Sequence, residues 1–200
     1  MWNNATKTAE IAVLNVNPGE TVGTVSTITT VTGGPTGGSW APVASGDFNG
    51  DGKSDILWQN GIGGAVKVSL MNGATVANTD SVALNTGPGY NAVATGDFNN
   101  DGKSDIAGGG TAEIWNMNGD SMTNSNTYLA PTSGASGPGT FTLKGAEDVN
   151  GDGFSDLLWQ NAANGDVVAT QLTTGNAILS TVNLTAPASN FGLIASTGGG

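Results

Sequence analysis

The chain has no cysteine, no histidine and no arginine, and its five basic residues in 200 are all lysine. Zinc and iron sites draw on nitrogen or sulfur, so soft-metal chemistry has no donors here. Catalysis usually recruits histidine, cysteine, arginine or a carboxylate of shifted pKa, and the first three are missing. Without a basic cluster, nucleic acid and anionic membranes are repelled rather than recruited. No segment approaches the roughly eighteen consecutive apolar residues that a membrane-spanning helix needs. No secretory signal opens the sequence either, since Met1 is followed at once by Trp2 and polar residues. The expectation is a segment from inside a longer protein, or one left after processing. Lack of disulfides leaves the compartment open, although a small secreted fold that leans on bound ions has less use for them.

What is present is turn chemistry and acid. Hydrophobic residues make up 37%, low but adequate for one core, while 33 glycines and a surplus of Thr, Ser, Asn and Val point to short strands and many turns. The formal charge is −11. Nine of the sixteen acidic residues are the aspartates of three copies of one loop: GDFNGDGKSDILWQN from Gly46, GDFNNDGKSDIAGGG from Gly96 and EDVNGDGFSDLLWQN from Glu147. The first aspartates, Asp47, Asp97 and Asp148, stand fifty and fifty-one residues apart, so one structural unit of that length is repeated.

Each loop reads D-x-N-x-D-G-x-x-D, with oxygen-bearing side chains at alternate positions of a tight turn where they can converge on one centre. In the first copy the donors are Asp47, Asn49, Asp51 and Asp55 with the carbonyl of Lys53. The second offers Asp97, Asn99, Asp101 and Asp105 with the Lys103 carbonyl. The third offers Asp148, Asn150, Asp152 and Asp156 with the Phe154 carbonyl. Calcium accepts six to eight oxygens in flexible geometry, whereas magnesium demands a rigid octahedron, so the expected ligand is Ca²⁺, about three ions per chain. An EF-hand would place glutamate at loop position twelve, but Trp58, Gly108 and Trp159 stand there. Asp, Asn and Gly also make plain surface turns. Three copies that keep every donor favour the ion, as does the repulsion of three carboxylates held close together. Three divalent cations would bring the charge from −11 to −5.

The first unit reads as four extended runs, Trp40 to Phe48, Ser54 to Gln59, Ala65 to Met71 and Thr75 to Leu84, with Asn72-Gly73 as a hairpin signal. No helical periodicity intervenes. Trp40, Tyr90 and Phe141 each precede the first aspartate of their loop by seven residues, and Phe191 extends the series without a fourth loop. Trp2-Asn3-Asn4 resembles Trp58-Gln59-Asn60 and Trp159-Gln160-Asn161, so the termini read as two halves of one unit. Four-stranded units arranged radially are propeller blades. The expected fold is an all-β, single-domain propeller over 1–200: a partial blade at 1–36, blades at 37–87, 88–137 and 138–187, and a closing strand at 188–200. In the four-bladed form, strands such as Ile11 to Val16 pair with the strand from Phe191. The alternative is an open fragment of a larger ring, whose edges would drive self-association through the terminal strands.

These loops and this period resemble the FG-GAP or VCBS repeats of integrin-like β-propellers and of many bacterial surface and secreted proteins. The resemblance implies calcium in the loop between the first two strands of each blade, on the residues already named. It also implies an extracellular or cell-surface, bacterial, non-enzymatic module for adhesion or lectin-like binding of carbohydrate or protein. Departures are the missing FG-GAP string, a ring usually of seven blades, and Ala107-Gly108-Gly109 where the first unit has Leu57-Trp58-Gln59. Trp58, Trp115 and Trp159 are candidates for ligand contact or for packing between sheets. A second reading is a structural or self-assembling repeat, a spacer or filament subunit. A calcium-dependent hydrolase comes last, with Glu10, Glu20, Glu113 and Asp120 left as scattered acids.

Overall fold

The computed structural model describes residues 2–3, 8–12, 28–31, 35, 37–72, 75–78, 90–109, 112–134 and 137–184. Their regular structure is β-strand, apart from one 3-10 turn at Thr174–Asn176. Three four-stranded antiparallel meanders follow the fifty-residue repeat. The first runs β4 (Trp40–Gly46), β5 (Asp55–Asn60), β6 (Val66–Asn72) and β7 (Thr75–Asn78). The second runs β8 (Ala92–Gly96), β9 (Asp105–Gly108), β10 (Ala112–Asn118) and β11 (Ser121–Tyr128). The third runs β14 (Phe141–Glu147), β15 (Asp156–Asn161), β16 (Val167–Thr173) and β17 (Ala177–Leu184). Ahead of them β1 (Trp2–Asn3), β2 (Thr8–Ala12) and β3 (Ile28–Val31) form a three-stranded antiparallel sheet. A two-residue ribbon, β12 (Ser133–Gly134) with β13 (Gly137–Pro138), precedes the third meander.

The expected all-β class, with four antiparallel strands per repeat, is what the chain adopts. Among the described residues the N-terminal sheet has three strands. The strand expected from Phe191 to complete it, most of Ile11 to Val16, and the last part of the run from Thr75 to Leu84 lie outside the described residues. No closed ring is seen among the described residues, and the number of blades stays a proposal.

The repeat extends to its irregularities. The first strand of each meander slips register against the second at the same place, between Pro42 and Ala44, Ala92 and Ala94, and Leu143 and Gly145. The third slips against the fourth between Leu70 and Met71, Asn116 and Met117, and Gln171 and Leu172. A bulge bends its strand and raises the local twist, so paired bulges at fixed positions give all three sheets the same shape.

The core lies between consecutive sheets. Phe48, Leu57, Val66 and Val68 of the first meet Tyr90, Ile106, Trp115 and Met117 of the second. On the far side of the second, Ala94, Phe98, Ala107 and Ile114 meet Phe141, Leu157, Trp159 and Val168 of the third. The second sheet is covered on both faces, and the second strand of every sheet lacks the alternation of a half-exposed sheet and is almost wholly buried. Departure of the second unit at Gly108 has a packing cause. A Cβ there would stand 2.2 Å from the Asn91 carbonyl oxygen and 2.8 Å from Tyr90 Cζ. Tyr90 occupies the space a side chain would need and stacks on Trp115, centroids 4.3 Å apart and planes within 6°.

Neighbouring sheets also lock through their acidic loops. The Ser104 N–H donates to the Asp47 carbonyl at 2.6 Å and the Ser155 N–H to the Asp97 carbonyl at 2.7 Å. Room for each serine comes from glycine: a Cβ on Gly46 would fall 2.6 Å from Ser104 Cβ, and one on Gly96 would fall 2.6 Å from Ser155 Oγ. Gly96→Ala should therefore cost about 1–3 kcal/mol by overpacking. In urea melts, adding Ser155→Gly should recover part of that loss, and strictly additive costs would show that the two residues do not collide. The third repeat puts Glu147 at this position, and Val149, the counterpart of fully buried Phe48 and Phe98, is 38% exposed. A further sheet built like the second and third could not seat its serine there.

Candidate acidic-loop site

Loop geometry follows from where the carboxylates take their hydrogen bonds. Asp47 Oδ1 accepts from the N–H groups of Gly50 at 2.7 Å and Asp51 at 3.1 Å, and its Oδ2 accepts from Gly52 at 2.7 Å. Asn49 Oδ1 accepts from the Asp51 N–H at 2.9 Å, and Asp51 Oδ1 from the Lys53 N–H at 2.9 Å. In the second loop, Asp97 takes the N–H groups of Asp101 and Gly102, Asn99 that of Asp101, and Asp101 that of Lys103. In the third, Asp148 takes Gly151, Asp152 and Gly153, Asn150 takes Asp152, and Asp152 takes Phe154. These Asx-type bonds fold the chain back on its own side chains. Gly52, Gly102 and Gly153 hold φ of +81°, +80° and +91°, where a Cβ is strained.

The fourth side chain of each set has a different setting. Asp55, Asp105 and Asp156 are wholly buried. Asp55 accepts the N–H of Phe48 at 3.0 Å and that of Met71 at 2.8 Å. Asp105 accepts Phe98 and Met117 at 3.1 and 2.8 Å, and Asp156 accepts Val149 and Leu172 at 3.1 and 2.9 Å. Met71, Met117 and Leu172 are the residues at the second bulge of each sheet, where the ladder is interrupted. The aspartate supplies an acceptor there and ties the loop to the third strand. Sequence reasoning saw only a metal ligand in it. The available signal was an acid opening a strand that is otherwise apolar, as in Asp55-Ile56-Leu57-Trp58.

Burial raises the pKa of Asp55, Asp105 and Asp156, with the nearby loop aspartates adding to the effect and the two N–H bonds opposing it. For Asp105 the value reaches about 7. Asp51 is lowered, first by the Lys53 ammonium at 3.0 Å. At Asp148 desolvation is the largest single effect and raises the pKa, but the N–H bonds from Gly153, Gly151 and Asp152 together outweigh it and the pKa is lowered.

All donors in the loops are oxygens, which suits a hard cation and no soft one. Asp47 Oδ1 and Asp148 Oδ1 each already accept two N–H bonds, and the other carboxylate oxygens of the loops accept one and keep a further lone-pair direction. Among the described residues no three Asp, Glu, His or Cys side chains are grouped so as to hold a metal ion. The donor chemistry fits Ca²⁺.

The loops of all three sheets face an open cavity of about 740 Å³, lined among others by Asp47, Lys53, Asp97, Lys103, Glu147 and Asp148. The tryptophans are elsewhere. Trp58 and Trp159 are fully buried and Trp115 is 4% exposed, so they pack between strands and sheets and offer no contact surface. Equivalent hydrogen bonds, Trp58 Nε1 to Ser69 Oγ at 3.0 Å and Trp159 Nε1 to Thr170 Oγ1 at 3.1 Å, fix both indoles. Trp40, Tyr90 and Phe141, the aromatics seven residues before each loop, are likewise buried. Of the scattered acids, Glu20 and the side chain of Glu10 lie outside the described residues.

A family model described as an FG-GAP-like repeat matches residues 47–108, from the first aspartate of the first acidic loop to the end of β9. Comparison with curated proteins and with solved structures gave no match. Among the described residues no helix is long and apolar enough to cross a membrane.

Proposed function

We propose that this chain, which carries an FG-GAP-like repeat over residues 47–108, is a calcium-binding β-propeller module with a non-enzymatic, extracellular role in binding or adhesion. The observation that carries this reading is the threefold recurrence of one all-oxygen loop, each copy wound on its first aspartate and chained to the next by a serine-to-aspartate backbone bond. Calcium would be held by Asp47, Asn49, Asp51, Asp55 and the Lys53 carbonyl, and by their counterparts in the other two loops. Bound there, it supplies charge neutralisation and a rigid crosslink.

The module is four-bladed on this reading, its fourth blade assembled from both ends of the chain over 1–36 and 188–200 and lacking an ion loop. Glu147 in place of a socket glycine is consistent with a neighbour of a different kind at the third sheet. The ligand is a carbohydrate or a protein surface. Buried tryptophans remove the obvious stacking platforms, so contacts fall to polar residues at the loop end. A glycan and protein array probed in calcium and in chelator tests this. Calcium-dependent retention of a defined ligand class is the expected result. No retention, together with growth of mass in light scattering, would favour the second reading, a self-assembling spacer joined through its terminal strands.

A further inference from the structure

We propose that Asn49 and Asn150 are modification sites, each able to convert through a succinimide to aspartate or isoaspartate, and that the first aspartate of the loop, Asp47 or Asp148, suppresses the reaction while the loop stays wound. The inference rests on the winding bonds alone, whether or not the loops take up an ion.

The reaction needs an asparagine followed by a residue whose backbone nitrogen can reach the side-chain amide. That nitrogen bonds to Cγ and gives up its proton, while the Cγ–Nδ2 bond breaks and the amide nitrogen leaves with that proton as ammonia. Water then opens the ring at either carbonyl. One opening leaves aspartate, and the other leaves isoaspartate, with the main chain rerouted through the side chain. Water is the only co-reactant. Glycine is the most permissive following residue, because it has no side chain to screen its nitrogen and its backbone turns most freely.

Six Asn-Gly pairs stand in the sequence, beginning at Asn49, Asn60, Asn72, Asn118, Asn150 and Asn164. Gly73 lies outside the described residues; the other glycines all have their N–H engaged, but in two ways. Gly61 donates to the Ser39 carbonyl at 3.1 Å, Gly119 to the Phe48 carbonyl at 2.7 Å and Gly165 to the Asn161 carbonyl at 2.8 Å, all main-chain acceptors. Gly50 and Gly151 donate to a side chain instead, Asp47 Oδ1 and Asp148 Oδ1, both at 2.7 Å. That bond must break before the nitrogen can turn onto Cγ. A carboxylate beside the nitrogen also opposes the negative charge that builds there as the proton leaves. The target amides are held as well, since Asn49 Oδ1 accepts the Asp51 N–H at 2.9 Å and Asn150 Oδ1 the Asp152 N–H at 3.0 Å. Gly50, Asn150 and Gly151 are exposed, so water reaches both pairs and ammonia can leave.

The second loop is wound in the same way without the reactive pair. Asn100 stands where the other loops have glycine, at φ +57° against +76° for Gly50 and +77° for Gly151. The fold thus accepts asparagine at this position, a residue that tolerates the left-handed region, and its side chain screens the nitrogen that would attack Asn99. Conversion at Asn49 or Asn150 adds a negative charge, and isoaspartate lengthens the main chain between the first aspartate and the next. A loop that has opened and reacted cannot rewind as before.

The full chain is incubated in warm, mildly alkaline buffer with chelator, and each Asn-Gly pair is followed by peptide mass mapping with isoaspartate-specific methylation. Asn49 and Asn150 should convert far more slowly in the native protein than in urea. Asp47→Ala should speed conversion at Asn49 by roughly tenfold or more, the scale of losing hydrogen bonds to a charged acceptor, and leave Asn150 and Asn164 at their wild-type rates. Asp148→Ala should do the reverse. Asp47→Asn, a gentler change that keeps an acceptor and drops the charge, should give the same selectivity more weakly. Gly50→Asn on the Asp47→Ala background should return Asn49 to a slow rate. Conversion of Asn49 as fast in the native protein as in urea, no acceleration there in Asp47→Ala, or acceleration at every pair alike in both Asp47 variants overturns the proposal.

Discussion

Asp105→Ala is expected to destabilise the protein by on the order of 3–5 kcal/mol in chelator, and by at least as much in calcium. The change deletes the acceptor of two buried donors, the N–H groups of Phe98 and Met117, and each unsatisfied group costs about 1–3 kcal/mol before the small cavity is added. Against a typical stability of about 5–15 kcal/mol, that is a large fraction. Asp55→Ala and Asp156→Ala remove the same brace and should behave alike. A purely metal-ligand role predicts something else: a loss seen only while calcium is present. Urea melts with and without chelator separate the two.

The same residue sets a pH dependence. Its folded pKa of about 7 lies above the unfolded value of 3.8, so between those values the native state binds more protons than the unfolded one. Stability of the ion-free protein should therefore fall as pH rises from about 4 to about 7. Asp105→Asn removes the titrating group, and its melts in chelator should be flatter over that window than those of the wild type. Equal slopes would show that burial does not shift this carboxyl.

Chelation of the native protein is the second large effect. A ligand that binds only the folded state adds roughly 2.7 kcal/mol per site at a hundredfold excess over its dissociation constant, so three sites reach about 8 kcal/mol. For a chain of this size that corresponds to a fall in melting temperature on the order of 20 °C. The triple variant Asp51→Ala, Asp101→Ala and Asp152→Ala keeps the winding on Asp47, Asp97 and Asp148 but loses one carboxylate per loop. Its curve should move far less on adding chelator. A native curve that stays in place would end the structural role for calcium.

Much of this was legible in the sequence because the information is local. The repeat spacing, the Asx chemistry of the loops and the aromatics seven residues before each first aspartate give the meanders and their buried ends directly. What pairs in space without adjacency in sequence was harder. Nothing in the string Gly-Asp-Phe-Asn says that Gly46 makes room for Ser104, fifty-eight residues on. The bulges at Met71, Met117 and Leu172 have no turn residue to announce them, so the bracing role of Asp55, Asp105 and Asp156 was hidden behind their place in the acidic pattern. The tryptophans were ambiguous by composition alone, and packing on both faces of the strands resolved them.

The most direct measurement is a calorimetric calcium titration of the metal-free chain at neutral pH, repeated with one loop disabled at a time by Asp47→Ala, Asp97→Ala or Asp148→Ala. Three ions per wild-type chain, and two in each variant, is the outcome the loop chemistry predicts. No binding heat, or a stoichiometry indifferent to these aspartates, would contradict it.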